Sequence, residues 1–127
     1  FFVGSWTDKG DCAGNTAAFL EKLENKKVFL FGTCGFGRSE AYYDTVYRRF
    51  ADHLRFGNQI LGHYFCQGKM PESVPRRYEA MKAANPECSR WDECIENYNQ
   101  ALSHPDGNDL EGLCDAADAA LESIREK

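Results

Sequence analysis

The chain has 127 residues, of which 43% are hydrophobic and 28% are charged, and this composition excludes a disordered chain. We predict a single globular domain over residues 1–127. The net charge of −5 is unevenly distributed, because residues 72–127 contain 6 Lys/Arg and 13 Asp/Glu. This acidic second half argues against nucleic acid as a partner.

The sequence favours a cytoplasmic protein without a membrane partner. No apolar run approaches the roughly 18–20 residues of a membrane span, and no basic-then-apolar signal peptide is present. The six cysteines stand singly and form no CxxC pair, which favours reduced thiols. Residues 1–4 look like the interior of a strand and include no initiator Met, so we expect an upstream segment in the native protein.

The first part of the chain alternates strands with helices. Residues 1–6 predict a buried strand, and the Gly and Asp residues of segment 7–11 predict a loop. Apolar residues recur at helical spacing in residues 14–24, which therefore predict a helix. A second strand is predicted over residues 28–32, where five apolar or β-favouring residues run into a glycine-rich turn.

A second strand–helix–strand unit follows that turn. Ser39 is a good N-cap, and the apolar spacing predicts a long helix as far as Leu54. Residues 59–66 predict the third strand, and residues 67–71 its exit loop. Alternating strands and helices indicate an α/β fold with right-handed parallel crossovers.

The remainder of the chain is predicted to be helical. Helices are expected over residues 73–84, 89–102 and 109–125, and Pro86 and Pro105 interrupt them. The last helix shows a stripe of apolar residues that we expect to be buried. The stripe consists of Leu110, Leu113, Ala117, Leu121 and Ile124.

Two loops are expected to emerge at the same edge of the sheet, after the first and second strands. Each offers an aromatic side chain, Trp6 or Phe36, beside small residues, and a flat ring could stack there and accept backbone hydrogen bonds at its rim. Alternatively, both aromatic residues belong to the core at strand ends. The third exit loop would complete the wall of such a site.

Other candidate chemistry is weak. Cys66 has no His and carboxylate near it in sequence, so an inert thiol is favoured over a nucleophile. His53 and His63 are interpreted as structural residues. The spacing of Cys88, Cys94 and His104 does not match a zinc site, and the Gly-x-Gly of residues 35–37 lacks the rest of a dinucleotide fingerprint. We therefore predict no catalytic residues and no metal ligands.

Together the strands and their loops resemble the flavodoxin-like family, which binds flavin mononucleotide (FMN). The matching segments are residues 2–10, 27–37 and 62–70, with residues 103–106 and 109–111 resembling the entry to the final helix of bacterial members. Within the family, the sequence is most similar to the small flavodoxin-like proteins found beside, or fused to, bacterial bilirubin-reducing oxidoreductases.

The resemblance implies a three-layer α/β fold with a parallel sheet, truncated at its N-terminus. Family strands three, four and five are present, with additional C-terminal helices, whereas the first strand, the phosphate-binding loop and the second strand are absent. The FMN ring would contact two loops, with Trp6 on one face and Phe36 or Tyr42 toward the other. The implied cofactor-binding residues are Ser5, Trp6, Thr7, Asp8, Lys9, Gly10, Thr33, Cys34, Gly35, Phe36 and Gly37.

Three functions are compatible with the sequence. The resemblance implies an FMN-binding electron-transfer module that serves a partner oxidoreductase, although the absent phosphate loop could leave this chain without FMN. The alternative is a cofactor-free fragment that acts only by association. A thiol-dependent enzyme using Cys34 or Cys66 would require a depressed thiol pKa. Because the family's third strand would here become an exposed apolar edge, we also expect a homo-oligomer.

Overall fold

The computed structural model describes residues 1–36, 40–88 and 90–125. Within these residues the chain forms four strands and five helices. The strands are β1 (Phe2–Asp8), β2 (Asp11–Cys12), β3 (Lys27–Cys34) and β4 (Gln59–Gln67). The helices are α1 (Gly14–Glu21), α2 (Glu40–Ala51), α3 (Ser73–Ala84), α4 (Arg90–Ala101) and α5 (Gly107–Arg125).

The sheet has the strand order β2-β1-β3-β4, and the three long strands are parallel. In register, Phe2 lies opposite Phe29 at one end of the β1–β3 pair. The long strands are joined through α1 and α2, so the predicted parallel α/β architecture is confirmed. Within the described residues, the outer edge of β1 is paired only at Thr7 and Asp8, by β2. The rest of that edge is open, and self-association through it stays a prediction.

The predicted loop over residues 7–11 is instead a tight hairpin. Thr7 and Asp8 continue β1 and pair with β2, which leaves only Lys9 and Gly10 in the turn. Both turn residues have positive φ, 53° and 84°, as a two-residue hairpin turn of the mirror-image type requires. The Lys9-Gly10 pair is not a standard signal for this turn, which explains why the sequence pattern indicated an open loop.

One face of the sheet carries a closely packed core. The residues of β3 alternate, so Val28, Leu30 and Cys34 point to this face, where α1 and α2 cover them. Leu20 of α1 and Phe50 of α2 are at most 1% exposed. This face fixes the positions of the strand ends.

The opposite face is covered by α5, mainly over β4. Asp106 accepts the Asp109 amide and Asp109 accepts the Asp106 amide, a reciprocal capping arrangement that starts this helix. The predicted buried stripe is wrong, because Leu110 is 57% exposed, Leu121 is 37% exposed, and Leu113, Ala117 and Ile124 are only half-buried. Ala120 is the buried residue of the helix.

Helices α3 and α4 pack against each other and lie beyond the carboxyl ends of the strands, where their residues reach the β1 and β3 exit loops. Their predicted positions are confirmed within one residue, although Ser89 lies outside the described residues, as does the predicted N-cap Ser39. In the described part of the chain, no helix combines the length and apolar character that crossing a membrane requires. The N-terminal truncation stays a prediction.

Candidate functional site

A cleft of about 440 Å³ lies at the carboxyl ends of the parallel strands, where ligands bind in open α/β sheets. The β1–β2 hairpin forms one wall and the exit of β3 forms the floor. The first helical turns after β4 form the other wall. We call this space the aromatic cleft; it is lined by Trp6 to Gly10, Gly35, Phe36, Tyr42, Met70, Pro71, Ser73, Val74, Arg77 and Tyr78.

Four aromatic side chains line the aromatic cleft, and each comes from a different element. Trp6 is 63% exposed, so it is not the core aromatic residue of the alternative interpretation. Phe36 follows β3 and contacts the ring of Tyr42 edge-on, with 6.4 Å between the ring centroids. Tyr78 lies on α3, one helical turn after Val74. Such surfaces can hold a flat ring by stacking.

The hairpin that carries Trp6 is tied to the packed side of the domain. His53 Nε2 lies 2.8 Å from a carboxylate oxygen of Asp11 in β2. Burial favours a higher pKa for Asp11, but the hydrogen bonds from His53 and from the Cys12 amide outweigh it and lower the pKa. Arg49 of α2 lies against the turn and donates a long hydrogen bond of 3.5 Å to the Lys9 carbonyl. These contacts fix the direction in which the hairpin projects.

The floor of the cleft is fixed by a buried polar network. The Gly35 carbonyl accepts hydrogen bonds from Nε2 of Gln67, at 3.1 Å, and from Nδ2 of Asn97 in α4, at 2.9 Å. Gln67 Nε2 also lies 3.2 Å from Oδ1 of Asn97. Both amide side chains are only 4% exposed. The exit loop of β3 is therefore held by two side chains from different elements.

The same loop presents backbone donors. Within the described residues, the N–H groups of Gly35 and Phe36 have no protein hydrogen-bond acceptor. Both residues line the aromatic cleft and are partly exposed. They can therefore donate to a ligand that carries carbonyl, nitrogen or anionic acceptors along its rim.

The rim of the cleft is rich in cations. Lys9 and Arg77 line the aromatic cleft, and Lys69 lines an adjoining space of about 290 Å³ that shares Trp6 with it. In the parts of the chain that the structure covers, none of the three has a carboxylate within 4 Å. Asp8 is the acidic residue among the lining residues of these two spaces. In a protein of net charge −5, this cation-rich rim favours an anionic ligand.

The structure brings most of the sequence-predicted site residues together, but not all of them. Trp6, Thr7, Asp8, Lys9, Gly10, Gly35 and Phe36 line the aromatic cleft, and Thr33 lines the adjoining space. Ser5 lines a different cavity on the α5 face and accepts a hydrogen bond from the Ala13 amide. Cys34 is 1% exposed and its thiol lies 3.3 Å from Thr7 Oγ1, so it supports the loop from below. Gly37 lies outside the described residues.

Cys34 and Cys66, the two candidate nucleophiles, do not show the chemistry of reactive thiols. Burial raises the pKa of Cys66 to about 11 and also raises the pKa of Cys34. A reactive thiol needs the opposite shift, because the thiolate is the nucleophile. This finding disfavours the thiol-dependent enzyme.

Sequence reasoning missed the contribution of the additional helices. Ser73, Val74, Arg77 and Tyr78 of α3 line the cleft, and Asn97 of α4 holds its floor. The spacing of Val74, Arg77 and Tyr78 places them on one side of a helix, which was the available signal. The expectation that the loop after β4 completes the wall is confirmed by Met70 and Pro71.

Comparison with known proteins agrees with this architecture. The profile of the flavodoxin domain family matches residues 1–118. A flavodoxin-like domain-containing protein BilS of Clostridium symbiosum (strain WAL-14163) is 40% identical over 114 residues, which are 86% of this chain and 60% of that protein. A protein of the same name from Clostridioides difficile (strain CD3) is 33% identical over 109 residues, which are 86% of this chain and 62% of that protein. The chain thus spans about three fifths of these curated relatives, and on the profile match and these identities it belongs to the flavodoxin domain family.

Proposed function

We propose that this chain supplies the ring-binding site of an FMN-dependent electron-transfer module that serves a partner oxidoreductase. The proposal rests on the aromatic cleft, where exposed Trp6 lies at the strand ends beside the N–H groups of Gly35 and Phe36, which have no acceptor among the described residues. Membership in the flavodoxin domain family supports the same cofactor.

The residues of the cleft fit the ring of FMN. Its volume of about 440 Å³ lies within the usual range of small-molecule sites, roughly 300–1,000 Å³. Aromatic side chains provide apolar faces for a flat heterocycle, and the N–H groups of the floor match carbonyl and nitrogen acceptors at its edge. Trp6 would face the ring, and Gly35 and Phe36 would hold its edge. When bound, FMN supplies one- and two-electron transfer.

In this function the protein's own groups would bind the cofactor, orient it and tune its chemistry. Gly10 suits the turn because its φ of 84° lies in the left-handed region that other residues rarely adopt. Burial raises the pKa of Tyr42 and of Tyr78, so both phenols stay neutral at physiological pH. The cationic rim favours a bound group that carries or gains negative charge.

This chain offers fewer binding groups for the phosphate of FMN than for its ring. The cations Lys9, Lys69 and Arg77 are its candidate partners. Because the chain spans about three fifths of its relatives, we propose that the complete protein contributes further groups to the phosphate.

The partner is proposed from resemblance. The sequence is similar to proteins found beside bacterial bilirubin-reducing oxidoreductases, so an enzyme of that class is the candidate electron acceptor. The cation-rich rim fits an acidic docking face on such an enzyme.

The test is a titration of the chain with FMN, followed by quenching of flavin fluorescence, for the wild type and Trp6→Ala. We expect binding that weakens by roughly 1–3 kcal/mol in the variant, the range for stacking of a base on an aromatic side chain. Phe56→Ala is the matched control, because Phe56 is 89% exposed and is not among the lining residues of the cleft. It should bind FMN as the wild type does.

Two other outcomes would change the conclusion. Equal FMN binding by the wild type and Trp6→Ala would place the ring away from the aromatic cleft. Absence of binding by the wild-type chain would refute the proposal for this chain and favour the cofactor-free alternative, in which the domain acts by association.

A further inference from the structure

The Gly35 carbonyl is held by side chains instead of by the sheet. The amide of Gly68 donates to the Cys34 carbonyl at 2.9 Å, which continues the β3–β4 ladder by one step. At the next carbonyl, Gly35, backbone pairing is replaced by the side-chain amides of Gln67 and Asn97. Both donors are 4% exposed, so water cannot readily replace them.

This arrangement determines the direction of the neighbouring N–H group. In a planar trans peptide, the carbonyl of Gly35 and the N–H of Phe36 point in opposite directions. Because the carbonyl points to Gln67 and Asn97, the Phe36 N–H points away from α4. It has no acceptor among the described residues, although Phe36 lines the aromatic cleft.

We propose that Asn97, assisted by Gln67, is a positioning residue that locks the Gly35–Phe36 peptide with its N–H available to a ligand in the aromatic cleft. Helices α3 and α4 then both contribute to the site, because α3 supplies one wall and α4 fixes the floor. The two hydrogen bonds to the carbonyl also polarise the peptide and make its N–H a stronger donor.

The ligand class follows from this geometry. A fixed donor below an aromatic wall selects a flat ring with a carbonyl or a ring nitrogen at its edge. This part of the inference rests on the proposed function, since the FMN ring is one such ligand. The positioning role itself concerns the ligand-free protein and can be tested without FMN.

The test measures ¹⁵N relaxation of the Gly35 and Phe36 amides in the ligand-free chain, for the wild type and Asn97→Ala. A locked loop gives backbone order parameters of about 0.85, and a released loop gives values below about 0.6. We expect the variant to lose order at these two amides while the amides of β4 keep theirs. In parallel, the FMN dissociation constant should rise about tenfold, the ratio expected from one hydrogen bond.

Two further variants make the result specific. Gln67→Met keeps a long side chain but removes the Nε2 donor, and it should shift the same two amides in the same direction. Asn99→Ala is the matched control, because Asn99 is exposed on the same helix. It should leave both amides and the FMN dissociation constant unchanged.

The outcomes separate this inference from the proposed function. Wild-type order parameters in folded Asn97→Ala, or in Gln67→Met if the first variant does not fold, would overturn the positioning role even if FMN binds. If the variants lose order at these amides and the wild-type chain does not bind FMN, the positioning role would be upheld and the proposed function overturned.

Discussion

The two faces of the sheet differ in how completely the described chain covers them. On the face of α1 and α2, side chains from six elements form one cluster in which Leu20, Leu30 and Phe50 are at most 1% exposed. On the face of α5, Phe2 is 51% exposed and Leu110 is 57% exposed. A cavity of about 280 Å³, lined by Phe31, Leu110 and Leu113 among other residues, lies between the sheet and α5.

The α5 face is buried only locally, because Phe29 is fully buried there whereas Phe2 and Leu110 stay available for other contacts. The packed face sets the strand positions, and through them the walls of the aromatic cleft. The cavity of the α5 face has aromatic and aliphatic walls, and its described lining residues include Asp109 but no Lys or Arg, whereas Lys9 and Arg77 line the aromatic cleft. We therefore expect substitutions on the two faces to have different effects, which gives a direct way to test the comparison.

The largest difference is expected from removal of a phenylalanine on each face. Phe50→Ala should lower the free energy of unfolding by about 3–5 kcal/mol, because the ring is 1% exposed and packs edge-on against Phe65. Phe2→Ala should cost about 1 kcal/mol, because half of the ring is already in water. Urea unfolding of both variants measures the two values. Equal losses would show that the α5 face is as tightly packed as the other.

A smaller difference is expected when a methyl group is added on each face. In Gly32→Ala the new β-carbon would lie 2.6 Å from the Ser5 carbonyl oxygen, which is backbone and cannot move freely. We expect a loss of about 1–3 kcal/mol, the usual cost of overpacking. In Gly4→Ala the obstacle is the ring of Phe31, at 2.3 Å, and this ring borders the cavity.

The Phe31 ring can move into that cavity, so Gly4→Ala should cost less than Gly32→Ala. Thermal unfolding of the two variants checks the order. If Gly4→Ala were the more damaging change, the cavity beside Phe31 would not be able to accept the displaced ring.

The sequence predicted the packed face well because its pattern is local. Alternation in β3 and helical spacing around Val46 and Phe50 identify the residues that pack together, and these positions are buried. The edge location of Trp6 and Phe36 also follows from topology, since parallel strands end at one edge. The two-residue turn at Lys9 and Gly10 was missed because its positive φ angles depend on pairing with β2.

The α5 face and the floor of the cleft could not be predicted from spacing. Helical spacing places Leu110 on the apolar side of α5, but its burial depends on what lies opposite it in three dimensions. The bonds of Asn97 and Gln67 to Gly35 join residues 62 and 32 positions apart in the chain, and no local pattern records them. Such contacts follow from the packing of α4 against the strand ends.

The smallest expected effect is a difference between the two faces in how folding stability depends on pH. His63 of β4 stacks on Tyr47 of α2, with 3.7 Å between ring centroids. Burial of the imidazole lowers its pKa from the ordinary value of 6.5, although the charge of Asp44 partly opposes this. The unfolded chain then binds a proton at a higher pH than the folded chain does. Stability should therefore decrease as the pH falls through 6.5 and level off below the folded pKa.

On the α5 face, the carboxyl group of Asp109 titrates in a lower pH range. Burial favours a higher pKa for this carboxyl group, but the hydrogen bonds from His104, at 2.6 Å, and from the Asp106 amide lower it from 3.8. Its contribution to stability is complete above pH 3.8 and is lost as the pH falls through the folded pKa. Between pH 7 and 5, His63→Phe should thus reduce the pH dependence of the unfolding free energy, whereas the stability lost through protonation of Asp109 itself falls below pH 3.8. An unchanged slope in His63→Phe would show that the imidazole of the packed face is as easily protonated as in the unfolded chain.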